Sequence, residues 1–567
     1  MSRRRRQRVE PARRAEAARA ARRDAPRPGA AQPPRASEPR RATLRFTALF
    51  AACAALVLVA LGPALSGPFV SDDLHYVPNN PYVTRFSADV LGEVLDPRGE
   101  PVAITENYTP VHLLLHAFAW RLFGDDVRGH HAFNLLLHAL ASALLAPLLL
   151  RSGVPRPGAL GASLLFLLHP ANVEAAAWIN QVKSTASVSL AILALLALER
   201  RPALGTLCFA LALLAKPTSA FVLPAAAVFT WTRQRGPEAR RTYAWLGLWA
   251  LLFAAYAVIE MTAFTRAVAG VAPVHPDPLV RLRTSVGFVA RYFAMATTSY
   301  GVSAFHEPSP ALSWLDPWWL AGLAIVGVLG ARTALMLRAR REEAGYWVWA
   351  AAAFLPVAQV WPFPFPLADR YLYPILPGLI GGFALALAAP AARLLAGRTR
   401  AAYAAGAVAL AVLALFAARA HARANLWAIP ARLAADSAAN YPEGVNANLL
   451  RATRAMQVGD RRAAIDALRG AAARGYERFD QILGNPGFAP LQGDPAFDAV
   501  IAAMAGRWIE RLGARTHLAQ SELLSLAVAH RLRGEREQAR RAIERGLARD
   551  GPLRPALERE LRLLGSG

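Results

Sequence analysis

Apolar residues run along this chain in long blocks rather than at alternating positions. The blocks lie near 46–65, 131–150, 157–170, 175–198, 203–216, 219–232, 242–260, 317–337, 345–361, 371–396 and 401–419. A helix needs about 20 apolar residues to cross the hydrocarbon of a bilayer, and in lipid only helices and closed barrels satisfy every backbone group. The blocks therefore predict an all-α, multi-pass bundle of about 11 spans, several of them short. The connectors at 151–156, 200–201, 233–241, 338–341 and 398–400 are basic. If all of them face the cytoplasm, as Arg-rich connectors do, the N-terminus is inside and the C-terminus outside. Two further segments, 108–123 and 285–302, are apolar and aromatic but carry His, Arg or Thr, and read as interfacial or re-entrant helices on the outer side. Should only one of them span, the C-terminal domain moves to the cytoplasm.

After about His421 the pattern changes. Residues 422–567 read as Ala/Leu/Arg-rich helices of mixed charge with no span. The stretches 449–474 and 523–550 share a helix–turn–helix pattern around Gly459-Asp460 and Gly534-Glu535, with small residues at matching offsets (Ala464 and Ala471; Ala539 and Gly546). Small residues there let paired helices approach closely, as in tetratricopeptide repeats. The intervening segment, with Asn485-Pro486, Phe488 and Asp494-Pro495, breaks the period, so the array is degenerate. The expected organisation is a disordered basic cytoplasmic tail over 1–45, a membrane region over 46–421 with its first outer loop at 69–130, and a helical domain over 422–567.

Composition narrows the class. Hydrophobic residues make up 55% of the 567 and charged residues 18%, against about 25% charged in soluble domains. An ordinary soluble enzyme, a disordered chain and a disulfide-stapled secreted domain are excluded. The net charge of +25 is almost all Arg, with Lys only at Lys183 and Lys216, and residues 1–45 alone hold 15 Arg against 4 acids. Arg gathered at the N-terminus and at span ends fits membrane topology rather than nucleic-acid binding. Cys53 and Cys208 lie inside apolar blocks and read as buried thiols. Abundant Ala and Arg with scarce Lys suggest a bacterial inner membrane.

Polar residues near hydrocarbon are expensive and carry a functional hypothesis by default. Here they gather at the predicted outer ends. The first outer loop contains Asp72-Asp73, paired carboxylates suited to general-base or metal chemistry, or to capping a short helix. Tyr108 precedes a segment with His112 and His116. His131, Asn134 and His138 share one helix face, as ligands or as packing residues. His169-Pro170 ends an apolar block, and Glu174 and Trp178 follow one turn apart, offering an acid and an aromatic ring to a sugar. Lys183 and Lys216 could hold a phosphate or snorkel to the interface. Arg370, in Asp369-Arg370-Tyr371-Leu372-Tyr373, faces outward against the basic-inside trend, and its planar guanidinium suits phosphate recognition.

The order of these motifs resembles the membrane glycosyltransferases of the GT-C superfamily, and among them the O-mannosyltransferases that carry C-terminal tetratricopeptide repeats, together with their bacterial relatives. The residues that carry the likeness are 69–81, 108–110, 129–138, 168–179 and 368–374, with the repeats after them; Thr109, Asn172 and Pro217 depart from the family's pattern. The resemblance implies transfer of a sugar, such as mannose, from a polyprenyl-phosphate carrier to a protein or glycan on the extracytoplasmic face. In that reading Asp72, Asp73 and Glu174 are catalytic, and Tyr108, His131, His138, His169, Trp178, Lys183, Lys216, Arg370 and Tyr371 bind substrate. The expected partners are membrane lipid, the lipid-linked sugar and an acceptor brought by the repeats. No resident cofactor is indicated, and a divalent metal would need the substrate's phosphates as co-ligands. A non-catalytic scaffold bearing repeats, and a polysaccharide transporter or ligase, are the competing classes.

Overall fold

The computed structural model describes residues 37–565 apart from 106, 268–270, 272, 361, 363–364, 516–517 and 550–552. Most of the expected disordered tail thus lies outside the described residues. Its last part does not match the expectation: a helix already begins at Ser37 and runs to Ala60. All regular structure among the described residues is helical.

Each apolar block carries a helix. Seven are long and apolar enough to cross a membrane: Arg41–Ala60, Val127–Arg151, Ile179–Ala197, Gly236–Ala263, Pro317–Arg338, Leu376–Leu395 and Thr399–Trp427. An eighth crossing exists if Arg156–Leu167 and Pro170–Ala177, bent by 49° at the His169-Pro170 break, count as one. Pro202–Ala215, Val222–Arg233 and Glu343–Phe354 are shorter. Pro217 and Pro356 stop the first and third from continuing, and Pro224, in the first turn of the second, keeps it from extending backwards. The segments expected to be interfacial form the helices Pro110–Phe123 and Pro278–Thr298. The outward faces of Pro317–Arg338 and Thr399–Trp427 keep Val328, Val408 and Leu410 exposed, as apolar helices in lipid do.

Local sequence explains the helix starts and the tight crossings. Asp126 accepts the Arg128 N–H at the start of Val127–Arg151, and Asp316 accepts those of Trp318 and Trp319 ahead of Pro317–Arg338. Gly378, Gly381 and Gly382 let Leu376–Leu395 press against Tyr346, Trp347 and Ala350 of Glu343–Phe354. A Cβ on Gly378 would lie 2.6 Å from the Ala350 nitrogen and 2.8 Å from the Tyr346 oxygen, backbone atoms that cannot rotate away. Gly378→Ala is therefore expected to destabilise the detergent-purified protein by about 1–3 kcal/mol, the usual range for overpacking. Gly406→Ala, with nothing within 4 Å of the added carbon, should leave the melting temperature unchanged or raise it.

The last long helix does not stop at the expected 421/422 boundary but runs to Trp427 and is followed by Pro430–Asn440. Two helical hairpins then appear where the sequence places them, Val445–Gln457 with Arg461–Ala473 and Gln520–Leu532 with Arg536–Leu547. Gly459 and Gly534 take positive φ in the turns (+79° and +75°). Ala464, Ala471, Ala539 and Gly546 are buried, Gly546 against Leu557 of the following helix Arg554–Gly565. Phe479, Phe497, Met504 and Leu523 fill the core between the hairpins. This part docks on the loop after Pro278–Thr298: Glu307 accepts the Val445 N–H at 2.7 Å, and Asp436 accepts that of Ala304 at 2.9 Å.

Candidate functional site

Four segments converge, two of them consecutive in the chain and the others far from them in sequence. The first is the loop at 69–76. Ser71 adopts a left-handed conformation (φ +52°), uncommon for a residue with a side chain, and the short helix Asp73–Tyr76 follows. Asp73 is fully buried. It accepts the Val70 N–H at 3.0 Å and the Asn180 N–H at 2.7 Å, so it closes its own turn and stitches the loop to the 179–181 turn. Asp72 is only half-buried. It accepts from Ser71 Oγ at 3.3 Å and Asn180 Nδ2 at 3.4 Å, long bonds that leave its carboxylate available. The two acids thus have different surroundings: Asp73 is committed to main-chain donors and Asp72 is accessible.

The difference has a pH signature. Burial pushes the Asp73 carboxyl up to about 7, reinforced by the Asp72 charge and opposed by the two N–H donors and Lys183. Its folded value lies above the unperturbed 3.8, so its contribution to stability is full at pH below that value and is lost as pH rises through about 7. The fall in melting temperature between those two pH values is expected to be shallower in Asp73→Asn than in the wild type. Equal slopes in the two proteins would show that another group titrates there.

The second segment is Val173–Ala177 with Trp178, the third the start of Val182–Ala197 with Lys216, the fourth the short helix Asp369–Leu372. Glu174 Oε2 accepts the Arg370 backbone N–H at 2.6 Å, and Oε1 accepts Arg370 Nη1 at 2.5 Å. Both side chains are largely buried, at 4% and 12% exposure. The guanidinium lies over the rings of Phe365 (4.9 Å), Tyr371 (5.0 Å) and Trp178 (5.4 Å). Trp178 in turn stacks on Trp427 and points its indole N–H at the Val70 carbonyl. Lys183 sits over the Tyr76 ring at 5.0 Å, within electrostatic reach of Asp72, Asp73 and Arg370. Lys216 donates to Ser184 Oγ at 2.7 Å, which donates onward to Gln181, and it feels both Lys183 and Arg370. Three cations therefore share one neighbourhood with Glu174 and the Asp pair, where each raises the cost of leaving the others unneutralised.

The histidines expected to bind substrate do other work. His131 lies between the carbonyls of Ala177 (Nδ1 at 2.8 Å) and Gly67 (Nε2 at 3.2 Å), and its N–H donates to one of them. Asn134 donates to the carbonyls of Ala175, Ala176 and Trp178. Together they hold the end of the helix that carries Glu174. His138 bridges Tyr373 Oη and the Leu167 carbonyl, and His169 bonds the Ala296 carbonyl and accepts the Ala171 N–H. These rings fix backbone that would otherwise be unsatisfied in an apolar setting. Tyr108 donates its N–H to Glu260 and its hydroxyl to the Leu95 carbonyl, so its polar atoms are engaged away from the cations.

Asn180, Gln181, Ser184, Phe365 and Glu260 were not singled out from the sequence. Asn180 and Gln181 carried a signal, since two amides between Trp178 and Lys183 interrupt an apolar block; Phe365 carried none. Among the described residues no group of three or more His, Cys, Asp or Glu is placed to hold a metal ion. No family model, curated protein or solved structure matches the chain.

Proposed function

We propose that this chain is an integral membrane glycosyltransferase that moves a sugar from a polyprenyl-phosphate carrier to a protein or glycan hydroxyl. The observation that carries the reading is the placement of Arg370 and Lys183 within electrostatic reach of a half-buried Asp72, with Lys216 next to both of those cations. A lipid-phosphate donor needs cations at the membrane edge and a base for the incoming hydroxyl, and the site offers both. An apolar groove of about 820 Å³ supports the lipid part. It is walled by Pro278–Thr298, Pro317–Arg338 and Glu343–Phe354, and its lining residues Tyr292 and Gln359 bond Ala368 and Pro366, just ahead of Arg370.

In this mechanism Asp72 takes the acceptor's hydroxyl proton as the oxygen attacks the anomeric carbon. The bond from that carbon to the phosphate oxygen breaks, and the carrier leaves as its phosphate, its new charge met by Arg370, Lys183 and Lys216. Asp73 and Asn180 fix the position of Asp72, and Glu174 fixes the guanidinium. The reading includes eleven crossings in a bacterial inner membrane, with the N-terminus cytoplasmic and the site on the outer face. The C-terminal hairpins act in it as tetratricopeptide repeats that present the acceptor.

The test is direct. Purified protein in proteoliposomes is given radiolabelled polyprenyl-phosphate mannose or glucose, and sugar release to water or acceptor is followed. Turnover with either donor supports the reading; no turnover and no thermal stabilisation by polyprenyl phosphate overturns it. Single cysteines at 75, 365 and near 460 in a background lacking Cys53 and Cys208, probed with an impermeant thiol reagent, test the topology, 365 being the exposed position ahead of the buried Asp369. Residues 75 and 365 on opposite faces would break the single-site mechanism.

A further inference from the structure

A second, polar cavity is lined by none of the residues of the Glu174–Arg370 site. It measures about 270 Å³ and is bounded by Arg291 of Pro278–Thr298, Tyr300 in the loop after it, Trp318, Leu367, and Asn440 and Tyr441 at the end of Pro430–Asn440. At about 30 Å³ per water molecule that is room for roughly nine waters, the space of one sugar ring and far too little for a lipid chain. Its chemistry is specific. Arg291 packs over the Trp318 ring at 4.5 Å, and among the described residues no carboxylate forms an ion pair with it. Asp316 lies within electrostatic reach of it without forming an ion pair, and a partly buried guanidinium with no carboxylate in contact is a costly arrangement that a bound anion relieves. The phenols of Tyr300 and Tyr441 and the carboxamide of Asn440 supply donors and acceptors of the kind sugar hydroxyls use. Tyr441 Oη is bonded to His306 Nδ1 at 2.9 Å, and His306 Nε2 to Asp369 at 2.8 Å, so the cavity connects with the residue preceding Arg370 yet stays separate from the transfer centre.

We propose that this cavity binds an acidic sugar residue, a single pyranose bearing a carboxylate or phosphate, with Arg291 as the anion contact. The proposal stands whether or not the chain transfers sugar, because it rests on a different set of side chains. It is tested by calorimetric titration of the full chain in neutral-lipid nanodiscs with glucuronate, glucose 6-phosphate, glucose and inorganic phosphate. Both acidic sugars should bind, glucose at least roughly tenfold more weakly, and Arg291→Gln should abolish binding without lowering the melting temperature. Arg291→Lys should restore part of it, and Asn440→Ala, at the exposed rim, should weaken it. If Arg291→Gln fails to fold, these two variants carry the same test. Absence of binding by either acidic sugar overturns the proposal, as does equal binding of glucose or unchanged binding in the variants. Inorganic phosphate binding as tightly as glucose 6-phosphate would make this an anion site with no sugar recognition, and loss of sugar binding in phosphatidylglycerol nanodiscs would assign it to a lipid headgroup; either result also overturns it.

Discussion

Asp72→Asn is expected to lower kcat for the proposed sugar transfer by roughly two to four orders of magnitude, the range that a positioned general base contributes, while leaving the melting temperature close to wild type. The asymmetry of the two acids makes this a sharp expectation. Asp72 is half-buried and held only by long side-chain bonds, so an amide replaces it with little structural consequence. Asp73 is fully buried and accepts two main-chain N–H groups, so Asp73→Asn should lower stability and disturb the loop, with any loss of turnover following from that. Measuring turnover and melting on both variants separates the roles. A stable Asp72→Asn protein with full turnover would remove the base from the mechanism.

The largest stability effect is expected at Glu174. Glu174→Ala leaves the Arg370 guanidinium buried among Phe365, Tyr371 and Trp178 without its carboxylate. Breaking one partner of a buried pair destabilises by about 3–5 kcal/mol. Arg370→Met in the same background should recover much of that loss, because the uncompensated charge is gone and an apolar side chain fills its space. Melting of the two single variants and the double variant in detergent, followed by tryptophan emission, gives the coupling energy. Additive losses would show that the two residues are not coupled. Arg370→Lys keeps the charge but not the planar fork, and is expected to retain more stability than activity.

Much of the fold was legible in the sequence because hydrophobic run length is a local property. Every apolar block became a helix, and both hairpin turns of the C-terminal part fell at Gly459 and Gly534. Length separates the eleven blocks from the seven long apolar helices: the helices of 157–170, 203–216, 219–232 and 345–361 are short, with Pro170, Pro217, Pro224 and Pro356 at or near their ends. The candidate site was legible as a set of residues and not as a geometry. Glu174, Trp178, Lys183, Lys216 and Arg370 do converge, whereas His131, His138 and His169 serve as backbone clamps and Tyr108 is tied to Glu260. A histidine on a helix face reads the same whether its nitrogens meet a ligand or a neighbouring carbonyl, and only the packed neighbour distinguishes the two.

Sequence alone thus determined what depends on composition and local periodicity: an all-helical chain with long apolar spans, polar groups gathered near their ends, and a helical C-terminal part of paired hairpins. The tertiary structure decided which carboxylate is accessible, since Asp73 is buried and accepts the Val70 and Asn180 backbone N–H groups, while Asp72 is half-buried and accepts only long side-chain bonds. It also decided that Arg370 answers to Glu174, 196 positions away in the chain, and that Arg291 faces a polar cavity closed by Asn440 and Tyr441. Such pairings depend on which backbone segments meet, and that is set by the packing of whole helices rather than by the residues on either side of each charge.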